Sequence, residues 1–427
     1  MTKLVTDGSV AGQATDQALK NPWGIVFAPG APVWIANNGT QTSTLYDGTG
    51  VKLPLVVTIP AGLNGDSSPT GIVANASTTD FAVTKQPNTA PAKFIFASES
   101  GTISGWAPTV DGTHAIIGYD DGAGHAIYKG LAIAANGAAN FLYATDFHNN
   151  KIDVFNATYQ KVNTTGGFVD TTLPAGFAPF GIQTLQVQNQ TMIFVTYAKQ
   201  DADKEDEVDG AGLGMVNVFD VNGTLQKHLV PTAAALNAPW GLTLAPATFG
   251  TLANMLLVGN FGDGLINGYD PTTGAFIGAV SDNNNQSIRT PGLWGIAFGN
   301  GVRNQSAGTL YFTAGIGGEA GGIYGRIDLG ATAPDTVAPT VALTAPAAGN
   351  VTGMVTVSAN AADNVGVAQV QFLAGTTAIG TATTAPFTVQ WDTSAIANGT
   401  NVTVTAQAKD AAGNVTTSAG VIVTVTH

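Results

Sequence analysis

Residues 199–212 read KQDADKEDEVDGAG and gather Asp201, Asp203, Glu205, Asp206, Glu207 and Asp209 in a chain whose charged residues make up only 10%. Closely spaced carboxylates suit a hard cation, because Ca2+ takes roughly six to eight oxygen ligands. The alternation Asp201, Asp203, Glu205 imitates the start of a calcium loop. An EF-hand is nevertheless excluded, since Asp206 stands where that loop needs glycine and the distal bidentate glutamate is missing. Two readings remain, a calcium site of another kind and a solvated acidic loop. Histidines offer a second chemistry. His125 in YDDGAGHAIYKG and His148 in ATDFHNN, with Asp146 close by, form a set that suits a transition metal, although loop histidines are equally at home in solvent. His114, His228 and His427 have no recognisable partners.

Other chemistries lack their groups. The chain has no cysteine, no G-x-S-x-G, no P-loop and no H-E-x-x-H, which removes thiol, serine-hydrolase, NTPase and zinc-protease machinery. The glycine-rich stretches GNFGDG and GIGGEAGG fall between strands rather than before a helix, so they lack the geometry of a phosphate cradle. A net charge of −13 with 15 Lys and Arg excludes nucleic acid as a partner, because phosphate binding needs clustered cations. No apolar run is long enough for a membrane span. The composition, poor in charge and rich in Gly, Ala, Thr and Asn, suits a secreted, extracellular or cell-surface protein. The start MTKLVTDGSV carries no signal peptide, so export implies that one has been removed.

These residues need a frame, and the frame is a repeat. Six phrases align on a glycine: NPWGIVFAP at Gly24, SPTGIVANA at Gly71, YKGLAIAA at Gly130, APFGIQTLQ at Gly181, APWGLTLAP at Gly241 and GLWGIAFGN at Gly295. Each is followed by a second apolar run, from VWIANN to LYFTAGI, and by a third, from STLYDGTG to GIYGRIDLG. Runs rich in Val, Ile, Phe, Tyr and Thr and closed by Asp-Gly or Asn-Gly turns predict antiparallel hairpins. Four strands per repeat of roughly 50 residues predict a β-propeller. The sixth repeat lacks a fourth strand, and KLVTDG precedes the first repeat without a blade of its own. The expectation is an all-β chain with a six-bladed propeller over residues 1–330, closed by its N-terminal strand, which removes two exposed edges.

The third repeat, KGLAIAANGAANFLYATDFHNNKIDVF, resembles an NHL-type repeat. Residues 1–330 further resemble an uncharacterised bacterial family of secreted six-bladed propellers, some carrying a PEP-CTERM sorting signal, through NPWGI, TLYDGTG, LPAGFAPFGIQ, LNAPWGLTLAPATFG and LLVGNFGDGLINGYDP in order. The resemblance implies a fold and an export route but no activity. From Ala331 the texture changes: residues 331–339 read as an extended Pro-containing linker. Residues 340–427 alternate Val and Thr over short strands and resemble a bacterial Ig-like sandwich, through ADNVGV, FTVQWDTS and AKDAAGN, with Phe372, Phe387 and Trp391 as core anchors.

In such a repeat the second strand returns to the face of the glycine phrase. Its end places Asn38, Glu99, Asp146, Tyr197, Asn260 and Ala314 around one mouth, where Asn38, Glu99, Asp146 and Asn260 are candidate oxygen ligands for Ca2+. The same residue types also favour strand ends for local hydrogen bonding alone. Trp23, Trp240 and Trp294, with Phe180 and Tyr197, are candidates for stacking on a ligand, or wedges between neighbouring blades. The function expected is a non-catalytic extracellular binding, adhesion or matrix protein with a polysaccharide or protein ligand. The alternatives are a metal-dependent hydrolase or lactonase at the mouth, with Ca2+ as cofactor, and a self-associating filament or matrix subunit.

Overall fold

Short runs of β-branched and aromatic residues pair antiparallel with their neighbours throughout the chain. The computed structural model describes residues 1–232, 235–329, 337–364 and 366–427. The chain divides into two compact units, residues 1–330 and 331–427. Most of the residues read as a linker, 331–336, lie outside the described residues.

The larger unit holds six sheets that each open with one glycine phrase, and a two-stranded ribbon of Ala82–Lys85 with Asn88–Pro91. Their leading strands are Pro22–Phe27, Pro69–Ala74, Tyr128–Asn136, Phe177–Val187, Pro239–Leu244 and Leu293–Phe298. Second strands such as Val33–Asn37, Phe94–Ser98, Leu256–Asn260 and Leu310–Ala314 are buried along their whole length. Strands covered on both faces read as continuous apolar runs, and these are covered because each sheet packs face to face with its neighbours. Trp34, Ile72 and Phe96 fill the space between the first and second sheets, while Val33, Ile35, Tyr311 and Leu4 fill that between the first and the sixth.

The repeated glycine has a steric reason. A Cβ on Gly24 would lie 2.5 Å from the Thr70 carbonyl oxygen, one on Gly130 2.9 Å from that of Phe180, one on Gly241 2.5 Å from that of Trp294, and one on Gly295 2.6 Å from that of Trp23. Gly71 and Gly181 press in the same way on the backbones of Leu131 and Trp240. Each leading strand therefore touches the next, and the last touches the first. Hydroxyls tie the same seams: Thr70 Oγ1 donates to the Tyr128 carbonyl at 2.6 Å, Thr145 Oγ1 to that of Phe180 at 2.6 Å and Thr313 Oγ1 to that of Trp23 at 2.6 Å.

The expectation of a six-bladed propeller closed by its N-terminal strand is corrected by the hydrogen bonding. No sheet among the described residues closes or curls upon itself; all six are open, with two edges each. Thr2–Thr6 joins only the sixth sheet, antiparallel to Ile323–Ile327 and parallel to Ala14–Thr15. In place of the propeller and its NHL-type blades, the unit is described as six open antiparallel sheets held by contact between leading strands, not by shared ladders.

The smaller unit is an Ig-like sandwich. Thr340–Ala345, Met354–Ala362 and Phe387–Asp392 form one sheet, and the second is built on Val367–Ala374, Asn401–Asp410 and Val421–Val425. Phe372, Phe387 and Trp391 are buried between them with Val357, Val404 and Val423.

A methyl group on Gly295 must displace the Trp23 backbone, and overpacking of this kind costs about 2 to 3 kcal/mol. Gly278, an outer-strand position with open space around it, provides the control. Gly295→Ala is expected to lower the unfolding free energy of the larger unit by that amount in urea titrations followed by tryptophan fluorescence, while Gly278→Ala stays within about 0.5 kcal/mol of the parent.

Candidate functional site

The residue before each repeated glycine points to one end of the cycle. In order these are Trp23, Thr70, Lys129, Phe180, Trp240 and Trp294. Below them, the glycines and the branched residues that follow line an axial cavity of about 40 Å³. Above, the aromatic members form a plug. Trp23 and Trp294 stack with ring centroids 3.4 Å apart, Trp240 meets both edge-on at 5.9 Å, and Phe180 and Phe261 pack against them. Trp294 Nε1 donates to Asn21 Oδ1 at 3.0 Å, and Trp240 Nε1 to the Lys129 carbonyl at 2.8 Å. Trp23, Phe180 and Trp294 are buried, whereas Trp240 retains partial exposure. Edge-to-face and stacked pairs of this kind add to the apolar area they hide.

Lys129 is the one charged residue in that column, and its side chain is 1% exposed. Its ammonium lies over the rings of Trp23, at 5.3 Å, and Phe147, at 5.9 Å. It donates to Glu99 Oε1 at 2.5 Å and Asp206 Oδ1 at 2.9 Å. Burial disfavours its charge, but Glu99, Glu207 and Asp206 more than offset this and hold its pKa above the ordinary lysine value.

The carboxylates arrive from three different sheets. Glu99 follows the second strand of the second sheet, and its Oε2 accepts from Asn38 Nδ2 at 2.8 Å. Glu319 sits in the glycine-rich loop of the sixth sheet, with a left-handed φ of 67°, and accepts from Asn21 Nδ2 at 2.5 Å. Asp206 and Glu207 come from the acidic insertion of the fourth sheet, where Glu207–Val208 pairs back onto Lys199 and Gln200. Inside the insertion, Asp201 Oδ1 accepts from the Glu205 backbone N–H at 3.0 Å. Desolvation raises the pKa of Glu207 to about 8, with Glu319 and Asp206 adding to the rise and Lys129 opposing it. Desolvation also raises Glu319, opposed by the Asn21 hydrogen bond and reinforced by Glu99. Beside this cluster opens a groove of about 410 Å³ lined by Asp66, Glu99, Glu205 and Asp206, with Asn64 and Ile127 among its other walls.

The other candidates lie apart. Asp146 is buried and engaged locally, by Asn149 Nδ2 at 2.8 Å and Lys151 at 3.4 Å, and burial raises its pKa. Asn260 Nδ2 donates to the Ala235 carbonyl at 2.8 Å and to Asp263 at 3.1 Å. Asn38 and Glu99 are therefore brought together, while Asp146 and Asn260 are turned to their own loops. Asp201 and Asp203 stay on the insertion, and Glu205 reaches the groove wall. Tyr197 is buried and lines a separate crevice of about 170 Å³ with Lys151 and Asp170. His125 and His148 stand with ring centroids 6.3 Å apart; His125 is exposed, and His148 Nδ1 is buried without a hydrogen-bond partner. Lys129 and Glu319 were not among the residues expected at the site, and Asp206 and Glu207 were read only as members of the acidic insertion. One signal for Lys129 was present: alignment on the repeated glycine puts a lysine where other repeats carry tryptophan.

These positions correct the functional expectations. Among the described residues no group of three or more His, Asp or Glu is placed to hold a metal ion, and the chain has no cysteine. The metal-dependent hydrolase or lactonase thus loses its ligand set. The binding, adhesion and matrix roles were assigned to a propeller platform, and they fall with it; the filament reading rested instead on Ig-like strands or terminal segments bridging neighbouring copies. No helix of the described residues is long and apolar enough to cross a membrane.

Comparison with known proteins places the chain. A bacterial Ig domain model matches residues 339–406. Over 331 residues the chain is 31% identical to uncharacterised protein R648 of Acanthamoeba polyphaga mimivirus, covering 76% of this chain and 78% of the relative. It is 30% identical to uncharacterised protein L690 of the same virus over 331 residues, 76% of this chain and 84% of the relative. The chain belongs to the family that these proteins form. The resemblance to a bacterial family of six-bladed propellers is corrected by the open sheets, while the Ig-like match stands over residues 339–406. A streptogramin B lyase structure is similar at a TM-score of 0.41 and 13% identity, over 72% of this chain and 93% of that one, a level that says nothing of function.

Removing the Lys129 ammonium strands buried carboxylate charge, so Lys129→Ala is expected to cost about 3 kcal/mol in chemical denaturation. Asp206, with a side chain 73% exposed, is screened by solvent, and Asp206→Ala should cost less than about 1 kcal/mol. Glu207 binds its proton more tightly when folded, from an ordinary value of 4.5 up to about 8, so the folded state holds the extra proton between those values. Its contribution is present below the lower value and lost as pH rises through the upper one. Calorimetric Tm should therefore fall from pH 5 to pH 8.5, and Glu207→Gln should flatten that fall.

Proposed function

We propose that the larger unit is a binding protein for an alkylammonium group, taken in the groove between Asp66, Glu99, Glu205 and Asp206. The observation that carries this reading is the charge imbalance of the mouth: Glu99, Asp206, Glu207 and Glu319 surround one ammonium, that of Lys129. Carboxylates forced together without enough cations bind a proton or a cation, whichever is available. Lys129 also supports the ligand class, since carboxylate oxygens at one end and aromatic faces at the other already hold an ammonium there. In the groove, Ile127 offers an apolar wall for an alkyl stem, and Asn64 and Ser100 offer hydrogen bonds. The group is borne by a lysine of a protein ligand or by a small polyamine; a polysaccharide of neutral sugars brings no cation to the carboxylates. Ca2+ is the competing cation, and the scattered oxygens favour an extended ligand over a point charge. Composition supports the accompanying proposal that the protein works outside the cell.

Calorimetric titration tests this with spermidine, a lysine-rich peptide and CaCl2 at low ionic strength. Spermidine and the peptide are expected to bind, with proton release visible as a buffer-dependent enthalpy, because a cation displaces the proton of Glu207. The double variant Asp66→Asn, Glu205→Gln, which spares the Lys129 pairs, should weaken both by about tenfold. Tight CaCl2 binding with no response to either amine would replace the proposal with a metal site. Silence from all three up to about 1 mM would end it.

A further inference from the structure

A further cavity shares no lining residue with the acidic groove and has the opposite character. It encloses about 490 Å³ beside the N-terminal strand, and Val10, Pro291, Ile316 and Ile323 give it a mainly apolar lining. Lys3 and Arg289 stand in the same lining. Their chain carries only 15 basic residues against 28 acidic ones, so two cations at one apolar cavity run against its overall balance. Among the described residues neither forms an ion pair. Arg289 gives one N–H to the Asp263 carbonyl at 3.2 Å, which leaves the rest of its guanidinium donors free. The nearby acid Asp7 is occupied by Ser9, whose hydroxyl donates to its Oδ1 at 2.5 Å.

We infer that this cavity binds an aliphatic monocarboxylate, with its chain against Val10, Ile316 and Ile323 and its carboxylate between Lys3 and Arg289. An apolar chamber with a few convergent polar groups is the usual form of a small-molecule site. The rim sets the headgroup, because a guanidinium matches a carboxylate in both geometry and charge. Volume sets the tail, since a cavity of this size accepts a medium-length chain and hides most of it.

Calorimetric titration of the full chain with hexanoate, octanoate and decanoate, and with decanol and decylamine, separates the two contributions. Affinity for the carboxylates should rise about fourfold for each added methylene that the cavity buries. Decanoate should bind about tenfold more tightly than decanol and decylamine more weakly than either. The double variant Lys3→Glu, Arg289→Glu is expected to reverse the order of decanoate and decylamine. Ala320→Trp, which fills the chamber from its exposed loop and leaves both cations in place, should abolish binding of all three. Each variant is checked by circular dichroism and Tm, so that loss of fold is distinguished from loss of the site. Equal affinity for decanoate and decanol in the parent would overturn the inference, as would decanoate binding that survives Ala320→Trp in a folded protein.

Discussion

The larger unit depends on one contact, repeated around the axis: a glycine Cα resting against the backbone of the neighbouring leading strand. From Gly24 against Thr70 round to Gly295 against Trp23, the contact leaves no room for a side chain. It sets the spacing of the sheets, so the large residues behind it pack in register, Trp34 against Phe94 and Tyr46 against Tyr324. It also brings six consecutive side chains together at one end. The aromatic plug and the buried lysine are therefore consequences of a backbone approach rather than independent inventions.

At that end, packing and electrostatics pull in opposite directions. Trp23, Trp294 and Phe180 exclude water from the space in which Lys129 must be neutralised. Glu99 pairs with Lys129 directly, and the acidic insertion supplies Asp206 from a loop that remains largely in solvent. Glu207 and Glu319 then sit near charges of their own sign, and desolvation makes them reluctant to ionise. The mouth holds more negative charge than its one ammonium can balance, so its protonation is tied to what else occupies the neighbouring groove.

Much of this was legible in the residues. The six glycine phrases marked the six leading strands, and Val/Thr alternation with Phe372, Phe387 and Trp391 marked the sandwich and its core. The propeller expectation read repeat number as a closed surface, whereas hydrogen-bond ladders stop at the edge of each short sheet. The site was harder to see because its members are far apart in sequence and its strongest member was disguised. Lys129 sits in YKGLAIAA as one basic residue before an apolar run, and only its column in the alignment distinguishes it. Asp146 and Asn260 occupy the register of Asn37 and Ser98, opposite the residue two before the repeated glycine, whereas Asn38 and Glu99 lie one residue farther on, and the first pair finds partners in Asn149 and Asp263. Glu319 lay inside GIGGEAGG, where glycines drew attention away from the one charged side chain.

The cycle of glycine contacts also limits how such a chain can diverge. Because Gly295 returns to Trp23, adding or removing one repeat would change every seam at once and reshape an axial cavity of about 40 Å³ that has no slack. Room for change in length therefore lies in the outer strands and connecting loops, away from the axis. The acidic insertion of the fourth sheet is one such outgrowth: it leaves the scaffold untouched and rewrites the chemistry of the mouth.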